Sequence, residues 1–175
     1  TLNRPEAANA QNPELLDELD AAWTRAAEDN EVAVIVLRAN GKHFSAGHDL
    51  RGGGPVPDKI TLEFVIQHEA KRYLEYTLRW RNVPKPSIAA VQGRCISGGL
   101  LLCWPCDLII AADDAQFSDP VVLMGIGGVE YHGHTWELGP RKAKEILFTG
   151  RSMTAEEVAG TGMVNRVVPR EALDS

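Results

Sequence analysis

Apolar residues along this chain follow two rhythms. Residues 32–37, 87–91 and 108–111 are β-branched or small aliphatic runs without helical spacing, as in strands buried on both faces. Gln116-Phe117 and the run at 163–168 predict two further short strands. Between these runs the period becomes helical. Leu15, Leu16, Leu19, Trp23 and Ala26 share one face, behind Asn12 as a cap, Pro13 at the first helical position and Glu14 in the first turn. A long helical stretch over 61–80 turns Leu62, Val65, Ile66, Tyr73 and Tyr76 inward, and Pro84 and Pro86 end it. Helices are also predicted over 140–148 and after the capping box Thr154-x-x-Glu157. Residues 51–57, with three consecutive glycines and two prolines, read as a link that is mobile without ligand. Strands alternating with helices predict an α/β domain on a largely parallel sheet.

A chain of 175 residues suits one domain with its own core. Its net charge is −6 and it has no basic cluster, which argues against nucleic acid or an anionic membrane as a partner. No apolar run reaches membrane-spanning length, and the first residues carry no charged-then-apolar signal. Three cysteines, an odd number, argue against a disulfide framework and suit a reducing cytoplasm.

Two loops carry the candidate chemistry. The strand at 87–91 runs on to Gly93, then to Ser97-Gly98-Gly99 and the apolar Leu100-Leu101-Leu102. Backbone N–H groups at such a turn into a helix can hold an anion, or an oxygen that becomes one. The same glycines also read as a tight turn in which they only relieve crowding. The strand at 32–37 leads to Gly41-Lys42-His43-Phe44-Ser45-Ala46-Gly47-His48-Asp49-Leu50, where small residues let a ligand approach the main chain. One N–H from each loop on a single oxygen makes an oxyanion hole.

This pair of loops resembles the crotonase, or enoyl-CoA hydratase/isomerase, superfamily. The likeness continues through Ala115-Gln116-Phe117, Leu147-Phe148-Thr149-Gly150-Arg151, Ala155-Glu156-Glu157 and residues 162–169, so it covers almost the whole chain. It implies the crotonase spiral of repeated ββα turns, as a single domain over 1–175. The opening strand would lie upstream, and the C-terminal helical region would be missing or shortened. In the family that region closes the acyl pocket and helps build a homotrimer or dimer of trimers. The implied substrate is an acyl-CoA, with coenzyme A as part of the substrate, no separate cofactor and no metal. The implied oxyanion donors are the N–H groups of Ala46 and Gly98. The backbone of Ala46, Gly47, His48 and Asp49 would meet the adenine end of coenzyme A, and Leu50, Leu101 and Val121 would also contact the substrate. Lys42 would meet the phosphates or stand solvated.

Two departures bear on the reaction. The family's hydratase glutamates fall at Leu101 and at Val121, in Phe117-Ser118-Asp119-Pro120-Val121. General acid–base groups contribute about 10²–10⁴-fold each, so an ordinary hydratase activity should be poor. Substitutes exist. Glu130 reads as an acid, base or nucleophile, or as a surface or helix-start acid. His48 reads as a titrating group or as a hydrogen-bond partner of its own loop. His132 and His134 line the pocket or face water. Strand alternation turns Asp119 away from the site. Cys103-Trp104-Pro105-Cys106 has dithiol spacing but sits at the end of a helical run, where a redox pair gains nothing from the dipole. The expectation is an acyl-CoA enzyme working through a thioester enolate. The alternatives are isomerase, hydrolase or decarboxylase chemistry at Glu130, a non-catalytic acyl-CoA-binding protein, and a dithiol oxidoreductase.

Overall fold

The computed structural model describes residues 1–51, 61–126 and 131–175. Most of the predicted link, the glycines at 127 and 128, Glu130 and the side chain of Val65 lie outside the described residues.

Four strands, β1 (Ile35–Leu37), β2 (Ser87–Val91), β4 (Leu108–Ala112) and β7 (Arg166–Val168), form a parallel sheet in the order β1-β2-β4-β7. A second sheet joins β3 (Arg94–Ile96) in parallel to β5 (Gln116–Ser118), and β5 in antiparallel to β6 (Met153–Thr154). The chain crosses from the first sheet to the second at Gly93, whose φ is +55°, and a Cβ there would lie 2.2 Å from the Lys42 carbonyl oxygen. The corner therefore requires glycine. β2 is the central, doubly covered strand the sequence predicts, with Ala89 and Val91 fully buried. β1 is an edge strand. It is shorter than its apolar run, and Val36 is 54% exposed because one face stays open.

Helix α1 (Pro13–Glu28) begins as predicted, with the Asn12 side chain accepting from the Leu15 N–H. It buries Leu15, Leu16 and Trp23. The long helix is three segments: α2 (Leu62–Glu69), a π-helical segment (Ala70–Glu75) and α3 (Tyr76–Arg81). Tyr73, Tyr76 and Trp80 are buried, but Leu62 and Ile66 are 75% and 55% exposed, against expectation. The wider i→i+5 spacing shifts the inward face, so one 3.6-residue stripe cannot run through both halves. α3 is pinned to α1 by Trp23 stacked on Trp80, and by Arg79 and the Trp80 indole N–H donating to Asp20. Asp17 accepts from Arg72 and from the Tyr76 hydroxyl. Burial pushes the Asp17 carboxyl up, but those hydrogen bonds outweigh it and hold it below its usual range. Burial and the same bond push the Tyr76 phenol up to about 12.

The remaining helices are α4 (Leu100–Cys103), α5 (His134–Thr149) and α6 (Ala155–Ala159). α5 is broken at Gly139, with φ +72°, so the predicted helix at 140–148 is its second limb. Thr154 caps α6 by accepting from the Glu157 N–H, but the Glu157 carboxylate turns to Arg151 and Lys142, leaving the capping box half made. Among the described residues no helix is long and apolar enough to cross a membrane.

Candidate active site

The first loop is held as an improvised strand between two neighbours. Phe44 and Ser45 donate their N–H groups to the Gln92 and Arg94 carbonyls, and the Ile96 N–H returns to Ser45. On the other side the Gln11 N–H donates to Gly47 and the Asp49 N–H to Gln11. The Ser45 hydroxyl donates to the Asn9 carbonyl. Gly47 has φ +84°, and a Cβ on it would lie 2.6 Å from the Ile96 carbonyl oxygen and 3.2 Å from the Gly98 nitrogen. The two glycine-bearing loops therefore touch, main chain to main chain.

Where they touch, a cavity of about 430 Å³ opens. Ala46, His48, Leu50, Gly98, Leu101 and Val121 all line it, together with Glu69, Ile96, Ser97, Asp119 and Pro120. Gly47 and Asp49 lie behind the wall. The Asp49 carboxylate accepts from both terminal nitrogens of Arg4 at 3.1 Å, so it anchors the loop. Lys42 is exposed and does not line the cavity. A larger groove of about 650 Å³ runs between residues 1–4 and α1, lined by Glu14, Glu18 and Arg25; neither loop reaches it.

The expected donor at Ala46 needs correction. Its N–H donates to the Ala8 carbonyl at 2.9 Å and is already engaged within the fold. Beside Gly47, the His48 imidazole also stands against Gly98: a Cβ on Gly98 would lie 2.8 Å from His48 Nδ1. The His48 ring stacks on Tyr73 with centroids 3.9 Å apart, and its Nε2 is 3.6 Å from Glu69 Oε2. Behind Gly98 sits Gln11, 2% exposed, with Nε2 3.4 Å from Ser45 Oγ. Its Oε1 has no hydrogen-bond partner among the described residues.

The opposite wall holds a cluster that sequence reasoning missed. Ser97 Oγ donates to Asp119 Oδ1 at 2.9 Å, and His134 Nε2 bonds Asp119 Oδ2 at 2.9 Å. Asp119 is 2% exposed and His134 1%. Asp119 was expected to point away. However, β5 ends at Ser118 and the backbone turns at Pro120 (φ −86°, ψ 21°), so strand alternation does not extend to it. His132 is exposed, whereas His134 is enclosed edge-on against Trp104. Ser97 has φ +45°, a conformation that costs a residue with a Cβ about 1–2 kcal/mol. A serine directly before two glycines was the signal available in sequence, but only the folded chain supplies the backbone angle and the partner.

A profile described as enoyl-CoA hydratase/isomerase matches residues 1–175. The chain belongs to the enoyl-CoA hydratase/isomerase family. It superposes on the crystal structure of a probable enoyl-CoA hydratase from Mycobacterium smegmatis with a TM-score of 0.94 and 86% identity, over 98% of this chain and 68% of that one. EchA13 of Mycobacterium tuberculosis is 44% identical over 191 residues, which cover 99% of this chain and 60% of EchA13. The mitochondrial enoyl-CoA hydratase of Pongo abelii is 35% identical over 176 residues, 98% of this chain and 58% of that protein. The chain thus has the crotonase fold and spans about three fifths of the length of these two curated relatives.

Within this member of the family the cysteines have no site of their own. Cys103 lies against Cys95, Sγ to Sγ 3.9 Å, and all three thiols are buried. Burial pushes the Cys103 and Cys106 thiols up, away from the thiolate a redox centre needs. Among the described residues no three His, Cys, Asp or Glu side chains converge on a metal position.

Proposed function

We propose that the cavity receives the acyl thioester of an acyl-CoA and holds its carbonyl oxygen against the main chain of Gly98 and of His48. The observation that carries this reading is the contact between the two loops, which brings the Gly47 and Gly98 backbones together at the cavity wall. With the Ala46 N–H engaged by Ala8, we put the first loop's donor at His48, whose ring stands against Gly98 and which lines the cavity. Each well-aimed donor contributes roughly 3–4 kcal/mol to a transition state that builds charge on that oxygen. The favoured step is formation of a thioester enolate.

Efficient hydration is not part of the proposal. Leu101, 4% exposed, and Val121 both line the cavity, and on this reading they put methyl groups where water activation would need carboxylates. Isothermal titration with butyryl-CoA tests the binding reading. The chain should bind it, and Gly98→Pro, which removes an N–H and distorts the turn, should abolish binding. Unchanged affinity in that variant would sink the two-loop assignment. Crotonyl-CoA hydration should be at least about 100-fold slower than in a family member bearing both glutamates. A comparable rate would show that Leu101 and Val121 do not face the reacting carbons.

A further inference from the structure

We propose that the Ser97 hydroxyl, coupled to Asp119 and steadied by His134, is the group that moves the proton at the α-carbon of a bound acyl-CoA. The inference rests on the acyl-CoA reading of the cavity and supplies the proton-handling group which that reading lacks. Three observations support it. First, the ionisable side chains lining the cavity among the described residues are His48, Glu69 and Asp119. The first two face each other, 27% and 28% exposed, whereas the Asp119 side chain is 3% exposed and sits in the wall with Leu101 and Val121. Second, Ser97 immediately precedes Gly98, so its hydroxyl stands one residue from the proposed carbonyl contact. It keeps that place despite a positive φ that glycine would adopt more easily. Third, both carboxylate oxygens of Asp119 are assigned: one accepts from Ser97, the other from His134 Nε2.

This order suits a two-proton relay. A serine hydroxyl alone is too weak a base to take a proton from carbon, and Asp119 lies behind it. As the α C–H bond breaks, its electron pair moves into the thioester as the enolate and the proton goes to Ser97 Oγ. Ser97's own proton passes along the existing 2.9 Å hydrogen bond to Asp119 Oδ1. Reversal returns a proton to carbon and leaves every group as it began. His134 keeps its N–H on Oδ2 throughout, which makes it a positioning residue. Its Nδ1 is buried without a partner among the described residues, so the ring gains its polar contact from Asp119 alone.

The alternative is that the three residues only tie the turn to α5. Hydrogen–deuterium exchange at the α-carbon of butyryl-CoA in D2O, followed by mass spectrometry, separates the two. Ser97→Gly takes one of the two donors from the enclosed Asp119 but also relieves the strained Cβ, so its Tm should fall less than that of His134→Ala. If Ser97 moves the proton, exchange falls at least about 100-fold in Ser97→Gly and Asp119→Asn, while calorimetry still detects bound butyryl-CoA. His134→Gln, which keeps an N–H donor, should retain more exchange than His134→Ala. Parent-like exchange in Ser97→Gly overturns the proposal, and so does an unaltered protein that binds butyryl-CoA without exchanging it. If the unaltered protein binds no acyl-CoA, the reading of the cavity fails first and this proposal falls with it.

Discussion

Asp119 and Glu157 are both carboxylates with several donors, and they stand in opposite surroundings. Glu157 is on the surface, where Arg151 and Lys142 donate to it and Arg151 also holds Glu145. The Arg151 hydrogen bonds, helped by Lys142 and opposed by slight burial, hold its carboxyl down to about 2. Every partner there is a cation that water can replace. Asp119 has a hydroxyl and an imidazole, both within the protein, and almost no water. A group that solvent can satisfy contributes little when cut away; a group that only the fold can satisfy contributes much. The surface cluster therefore reads as local reinforcement between α5 and α6, and the buried one as a contact that only the folded chain can supply.

The largest expected effect is at the buried end of this comparison. His134→Ala leaves the Asp119 carboxylate enclosed with one donor, and should cost about 3 kcal/mol of unfolding free energy. A urea titration showing less than about 1 kcal/mol would break the contrast, because water would then be replacing the ring. Gly47→Ala should come next, at about 2 kcal/mol, because it combines a φ of +84° with a Cβ 2.6 Å from the Ile96 carbonyl. It should also weaken butyryl-CoA binding, since the two loops must move apart; full affinity by calorimetry would separate loop contact from the site.

Arg151→Ala at the surface should cost no more than about 1 kcal/mol, and the loss should shrink in added salt. A salt-independent loss as large as that of His134→Ala would erase the distinction. The smallest effect is one of pH. The Glu157 carboxyl is lowered in the folded chain, so its contribution is present above the unfolded value and is lost as pH falls towards about 2. The Tm of Glu157→Gln should therefore decline less steeply than that of the parent as pH is taken from about 5 to about 2. Parallel curves would mean that Glu157 gains nothing from its partners.

What could be read along the chain was whatever nearest neighbours decide. Asn12 and Pro13 start α1, the small aliphatic run at 87–91 becomes the central strand, and Gly47, Gly98 and Gly99 mark where main chains meet. The exposed Leu62 and Ile66 were misread because a π segment changes the helical phase, which a 3.6-residue stripe does not register. The site needed more than local pattern. Ala46 looked like a donor until the Ala8 carbonyl, from a segment far upstream, was found on its N–H. Asp119 looked averted until the turn at Pro120 brought it round to Ser97 on one side and His134 on the other. Periodicity and capping depend on residues a few positions apart and are written in order. Which hydrogen bond each polar group makes depends on segments brought together only when the core closes, and so the tertiary structure decided it.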